Sequence, residues 1–156
     1  GTKQWPVHKW KDFCKQMEHP IILLGNSEDK VNGDDIAAVD KVKIYNACGK
    51  FKLNESADII RKSKFVISND TGLMHIAAAF KKPVISLWGN TVPSFGMYPY
   101  YGNKFTDVQL FDIIQTNKLR CRPCSKIGYG KCPLGHFKCM EKINVNEVLG
   151  RARQRL

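Results

Sequence analysis

Apolar positions recur along this chain in two alternating rhythms. Val7, Trp10, Phe13, Cys14 and Met17 follow Trp5-Pro6 at spacings of three and four, which predicts an amphipathic helix with proline near its first turn. Pro20-Ile21-Ile22-Leu23-Leu24-Gly25 is instead a continuous apolar run closed by glycine, and reads as a strand covered on both faces. Residues 34–39 predict a short helix and residues 42–45 a second strand. Leu53, Ala57, Ile59 and Ile60 mark another helix, with Asn54 the expected N-cap. Residues 64–68 form a third strand, Asp70-Thr71-Gly72 opens an apolar helix over residues 73–80, and residues 83–89 make a fourth strand. Past Thr91 the rhythm fades. Pro93, Pro99 and Tyr98, Tyr100 and Tyr101 indicate a long ordered loop, and residues 144–156 a closing helix.

Unbroken apolar strands separated by helices of about ten residues imply βαβ crossovers. The expected fold is therefore α/β: a Rossmann-like parallel sheet with helices on both faces. At 156 residues the chain holds one domain. Residues 1–112 are expected to form its core and residues 113–156 a basic, cysteine-rich extension with a final helix. A hydrophobic content of 43% with 25% charged residues excludes a disordered or collagen-like chain. No apolar run approaches the roughly 20 residues that span a bilayer, and no charged-then-apolar leader opens the sequence, so neither a membrane-spanning nor a secreted protein is expected. The opening Gly1-Thr2-Lys3, without initiator Met, points to a piece of something larger.

In a doubly covered parallel sheet, ligands sit beyond the carboxyl ends of the strands. The residues there are 25–29, 69–72 and 89–91. The middle group is the most informative. The first free N–H groups of the helix opening near Thr71-Gly72 would point into the crevice with the positive end of the helix dipole behind them. Gly72 lets an anion approach the backbone, and His75 stands one turn further on the same face. Asp70 is unsuited to a phosphate but is a strong acceptor for a sugar hydroxyl. The same residues also fit a plainer role, with Asp70 or Thr71 an ordinary helix cap and His75 a half-buried structural histidine.

Charge and cysteines change the picture for the last third of the chain. Of the net charge of +11, +8 lies in residues 113–156, where ten Lys and Arg face only Glu141 and Glu147. Such a field suits a polyanion, whether nucleic acid, anionic lipid or a phosphorylated ligand, or simply solubility. Cys14 and Cys48 lie in apolar stretches and are expected to be reduced core residues. Cys121-x2-Cys124-x7-Cys132-x6-Cys139 places four thiols close together in the basic segment. The first pair has the spacing of a structural zinc site; the second is too widely spaced for the usual pattern, and His136 could replace one ligand. Free thiols in a reducing cytosol and disulfides formed after isolation are the competing readings.

The block Asn69-Asp70-Thr71-Gly72-Leu73-Met74-His75, followed by Pro83 and Leu87-Trp88-Gly89-Asn90-Thr91-Val92-Pro93, resembles the signature of glycosyltransferase family 9, which includes the ADP-heptose:lipopolysaccharide heptosyltransferases. Lys3-Gln4-Trp5-Pro6 resembles the Lys-x-Trp-Pro stretch that opens the family's C-terminal domain, and the segment ending Cys139-Met140 is similar to one near the end of many members. The resemblance implies the C-terminal, donor-binding half of a GT-B enzyme, with two Rossmann-like domains facing across a cleft. It implies that Lys3 contacts the donor phosphates, that Asp29, or less well Glu28, holds donor hydroxyls, and that Asp70 binds the transferred sugar. The amides of Thr71, Gly72 and Leu73, with His75, would take the pyrophosphate; the nucleobase would lie near residues 49–53, including Phe51 and Leu53. It also implies an inverting transfer needing no cofactor, from a nucleoside-diphosphate sugar such as ADP-heptose to a glycolipid. The general base would come from an N-terminal domain absent here, so this chain carries no catalytic base. The expected setting is cytoplasmic, with the basic end against the anionic inner face of the inner membrane.

Two other functions remain open from sequence. A nucleic-acid-binding module would use the basic, cysteine-rich end and stack bases on Tyr98, Tyr100 and Tyr101, but leaves the Asp70–His75 block unexplained. Another nucleotide-sugar enzyme, such as an epimerase, could use a similar sheet, although no Gly-x-Gly-x-x-Gly follows an early strand.

Overall fold

The computed structural model of the chain describes residues 1–103 and 110–156. In chain order the elements are α1 (Val7–Gln16), β1 (Ile21–Leu23), a 3-10 turn (Ser27–Asp29), α2 (Lys30–Ala37), β2 (Ile44–Asn46), α3 (Leu53–Lys62), β3 (Val66–Asn69), α4 (Gly72–Ala79), β4 (Val84–Trp88), a second 3-10 turn (Pro93–Phe95), β5 (Phe111–Gln115), α5 (Lys138–Glu141) and α6 (Val145–Arg153). Every strand pairing is parallel, as the βαβ pattern predicts, but the hydrogen bonds form two ladders, β1–β2 and β3–β4–β5, where one sheet was expected. One apolar core nevertheless runs beneath both, joining Ile21, Leu23 and Ile44 to Ile67, Ile85, Leu87 and Ile114.

All five residues of β4 are buried, as a strand covered on both faces requires. Ile85 and Leu87 face a core completed by Phe13 and Cys14 of α1, Met140 of α5, and Val148, Leu149 and Ala152 of α6. Val84 and Trp88 face the opposite side, against Ile60 of α3 and Met74, Ala77 and Ala78 of α4. This is the period of two of a strand meeting helices on both sides. Each fully buried aliphatic side chain here contributes about 2 kcal/mol. Burial pushes the Cys14 thiol up to about 11 and raises that of Cys48, so both stay protonated at neutral pH, consistent with reduced core residues.

Several local expectations are corrected. β1 is not covered on both faces: Ile22 and its register neighbour Tyr45 are 50% and 49% exposed, so among the described residues that side of the short ladder is left open. Asn54 does not cap α3; the helix begins one residue earlier, and the Glu55 carboxylate accepts the Lys52 N–H at 2.7 Å. α2 starts at Lys30, ahead of the expected residue 34, because the 3-10 turn before it feeds directly into the helix. β5 and α5 had no sequence counterpart. β5 carries Asp112, which breaks its apolar run and is buried against Arg155 of the C-terminal end, 2.9 Å away, and Arg151 of α6 at 3.7 Å. β5 spans residue 112, and α6 packs into the same core as α1. The part of the expected loop at residues 104–109 lies outside the described residues. Among the described residues no helix is long and apolar enough to cross a membrane.

Candidate functional site

Parallel strands all end on one side, and the segments that leave them meet there. After β1, Gly25 leads into a turn that Asn26 caps by accepting the N–H groups of Glu28 and Asp29 at 2.9 and 3.1 Å. After β2, the Gly49 N–H donates to Gly25 O at 3.0 Å, with Gly49 in the left-handed region at φ 72° and its Cα side against Ser27. The Asp29 carboxylate accepts Asn26 N–H through Oδ2 and Gln4 Nε2 through Oδ1, both at 3.0 Å. Gln4 in turn neighbours Lys3, whose Nζ stands 2.6 Å from Asp70 Oδ2 after β3. Thr91, after β4, donates its hydroxyl to the same Asp70 oxygen at 3.0 Å. Asp70 is 6% exposed and Thr91 2%.

The start of α4 carries no side-chain cap. Thr71 occupies the N-cap position with extended backbone, yet its side chain caps nothing; its Oγ1 lies 3.2 Å from Ser68 Oγ. Asp70 does not cap either, since its carboxylate is turned to Lys3 and Thr91. The leading amides of α4 therefore keep the orphan character of any helix start. Nothing lies within 4 Å of where a Gly72 side chain would project. Thr71, Gly72 and His75 are exposed, and Leu73 is half-buried. An anion can reach these amides with the helix dipole behind them.

The structure thus brings Lys3, Asp70, Thr71, Gly72, Leu73 and His75 to one place, with Asp29 linked to Lys3 through Gln4. Asp29 has both oxygens engaged in shaping its turn, whereas Glu28 beside it is exposed with its carboxylate unengaged among the described residues. Phe51 and Leu53 stand 39% and 65% exposed at the start of α3. Phe51 edges an open depression of about 400 Å³ with Asn54, Glu55, Asp58 and Ile59, and Gly49 just before it packs on the turn after β1.

Residues 116–129 close the site from behind, which the sequence did not announce. The Arg122 guanidinium donates to Gly89 O, to Thr91 O at 2.9 Å, to Gln115 Oε1 at 2.7 Å and to Thr116 O at 3.3 Å. Burial lowers its pKa from the usual arginine range. Cys124 N–H donates to Asn90 O at 3.0 Å, and Tyr129 O accepts both the N–H and the hydroxyl of Thr2. Gly128 lies so close to Lys3 and Asn90 that a Cβ there would sit 3.1 Å from Lys3 Cε and 3.3 Å from Asn90 Nδ2. The only advance signal for this role was position: Thr91 follows a strand, while Arg122 was one cation among ten.

Cys121, Cys124, Cys132, Cys139 and His136 do line one cavity, of about 270 Å³, with Arg120 and Arg122 beside it. Cys121 Sγ lies 3.7 Å from His136 Nε2. Burial raises the Cys124 and Cys139 thiols, whereas the amides of Phe137, Leu134, His136 and Gly135 hold Cys132 below the ordinary thiol range. All four are free, and among the described residues no three His, Cys, Asp or Glu side chains are arranged to hold a metal ion. The tyrosines fare similarly as a base-stacking surface. Tyr98 and Tyr101 stack on Phe111, and Tyr101 is buried with its hydroxyl donating to Lys82 O at 2.7 Å.

The family model for glycosyltransferase family 9 (heptosyltransferase) matches residues 1–126. The chain belongs to this family. It is 32% identical over 118 residues to lipooligosaccharide heptosyltransferase 2 of Haemophilus influenzae, covering 71% of this chain and 34% of that protein. It is 30% identical over 101 residues to lipopolysaccharide heptosyltransferase 2 of Escherichia coli, covering 60% and 29%. The chain thus spans well under half the length of these curated relatives. Its fold matches the structure of E. coli ADP-heptose LPS heptosyltransferase II with a TM-score of 0.74 at 23% identity, over 99% of this chain and 42% of the other. E. coli heptosyltransferase WaaC with ADP matches with a TM-score of 0.69 at 21% identity, over 99% and 41%. The fold is thus the parallel α/β arrangement found in GT-B heptosyltransferase structures.

Proposed function

We propose that this family 9 chain is the donor-binding, C-terminal part of an inverting glycosyltransferase. Its donor is a nucleoside-diphosphate sugar of the ADP-heptose class, and its acceptor a lipopolysaccharide-core or related glycolipid. The observation that carries this reading is the uncapped start of α4, open at Thr71 and Gly72 and flanked by the Asp70 carboxylate held by Lys3 and Thr91. The relatives named above are heptosyltransferases, and structural neighbours were captured with ADP and with ADP-2-deoxy-2-fluoro heptose.

The chemistry follows from the groups present. The amides of Thr71, Gly72 and Leu73, with His75, take the pyrophosphate and stabilise the charge that grows on the departing nucleoside diphosphate. Lys3 adds a cation beside them. Among the described residues both bonds to Asp70 fall on Oδ2, which leaves Oδ1 as the acceptor for a sugar hydroxyl. Glu28, exposed at the neighbouring turn, is the better placed of the two carboxylates there for a further donor hydroxyl, because Asp29 is already engaged. The acceptor hydroxyl needs a general base, which this reading assigns to the N-terminal part of the parent enzyme. No metal enters the proposed transfer. Lys118, Lys126, Lys131 and Lys138 are exposed, as are Ile127 and Leu134 in the same segment, at 83% and 64%, and such a segment suits an anionic membrane surface on the cytoplasmic side where such a glycolipid resides.

A nucleic-acid module is disfavoured, since Arg122 and Arg155 are tied into the fold and two of the three tyrosines pack on Phe111. Calorimetric titration of ADP and ADP-heptose into the chain tests the donor reading. Both ligands are expected to bind saturably, and Asp70→Ala to weaken ADP-heptose by about tenfold or more while leaving ADP nearly unchanged. No saturable heat from wild-type chain at millimolar ADP would overturn it.

A further inference from the structure

We propose that Arg122 is a positioning residue for the donor site, acting through the loop after β4 on the Asp70 carboxylate; the proposal rests on the donor reading above. Arg122 is half-buried and, among the described residues, pairs with no carboxylate, unlike Arg151 and Arg155. Its donors go to neutral oxygens on two chain segments: Gly89 O and Thr91 O after β4, and Gln115 Oε1 and Thr116 O at the end of β5. A cation withdrawn from water without a counterion is costly, and only its full set of charged hydrogen bonds offsets that cost.

The grip has a direction. Arg122 holds the Thr91 carbonyl on one side of the loop, and the Thr91 hydroxyl reaches Asp70 Oδ2 on the other. Between the two gripped carbonyls stands Asn90, whose backbone oxygen accepts Cys124 N–H at 3.0 Å. Asn90 is 2% exposed, and among the described residues neither its Oδ1 nor its Nδ2 has a hydrogen-bond partner, so its backbone bond to Cys124 is what ties this residue to the segment behind it. The fork of a guanidinium is what allows one side chain to fix carbonyls on two segments at once. A lysine ammonium, a compact point charge on a flexible stem, does not reproduce it.

The test compares two ligands in wild-type chain, Arg122→Lys, Arg122→Gln, Thr91→Val and the double variant Thr91→Val with Arg122→Lys, with thermal melts on each. Because Asp70 addresses the sugar, Arg122→Lys is expected to lower ADP-heptose affinity about fivefold while ADP stays within about twofold. The double variant is expected to bind ADP-heptose no more weakly than Thr91→Val alone, since both changes break the same path. Equal losses for ADP and ADP-heptose, or losses that add in the double variant, would assign Arg122 a merely structural part and overturn the proposal. An Arg122→Lys variant indistinguishable from wild type overturns it alone. Wild-type chain that binds neither ligand overturns the donor reading, and this proposal with it. If Arg122→Gln fails to fold, Arg122→Lys and Thr91→Val carry the comparison.

Discussion

Asp70 and Asp112 are withdrawn from solvent to the same degree, 6% and 8% exposed, and each faces cations. Asp112 sits inside β5 with an ion pair on each oxygen, Oδ2 with Arg155 at 2.9 Å and Oδ1 with the half-exposed Arg151 at 3.7 Å, so that it ties the C-terminal end to the sheet. Asp70 sits one residue past the end of β3, and Lys3 and Thr91 both use the same oxygen. Burial and charge pairing are common to both and distinguish nothing. What differs is place and completeness: a carboxylate within a strand paired on both oxygens is part of the scaffold, and one beyond a strand end with an oxygen to spare is available to a ligand.

The largest effect is expected where both oxygens are paired. Asp112→Asn removes the buried charge that Arg155 and Arg151 both face, and should cost about 2–3 kcal/mol in denaturant unfolding. ADP affinity should not move. Should Asp112→Asn instead weaken ADP-heptose as strongly as a change at Asp70, the distinction between scaffold and site would fail. Asp70→Asn is expected to cost only about 1 kcal/mol of stability, because the Lys3 side chain is 28% exposed and can turn to water. An unfolding loss as large as that at Asp112 would make Asp70 a second scaffold carboxylate.

The sequence foretold the strands and the start of α4 better than what surrounds them. Strands of unbroken Val, Ile and Leu and the Asp70–His75 block were legible because a buried strand and a helix start impose residue types at fixed spacing. β5 was not, because Asp112 interrupts its apolar run and only the arginines 39 and 43 positions later explain a buried acid there. The exposed face at Ile22 and Tyr45 was misread for the converse reason: an apolar side chain in sequence does not say whether a helix covers it. The use of Arg122 was hidden in a count of charges, since nothing local separates a cation gripping carbonyls from one in solvent. The cysteine spacing announced a cluster correctly, but whether thiols converge on one point depends on the turns between them.

The smallest effects contrast two helix starts. Asn144 caps α6 by accepting Asn146 N–H at 2.8 Å, while Thr71 has the same extended backbone at the start of α4 and caps nothing. Asn144→Ala should therefore cost about 1 kcal/mol and leave ligand binding untouched. Thr71→Asp runs the other way. A carboxylate at that cap would take the open amides and complement the dipole, raising stability by about 0.5 kcal/mol. The same carboxylate would occupy the seat proposed for pyrophosphate, so ADP affinity should fall by about tenfold or more as the melting temperature rises. Stability gained with ADP binding intact would show that the anion lies elsewhere. Stability lost would show that the Thr71 hydroxyl, through Ser68, already does for α4 what Asn144 does for α6.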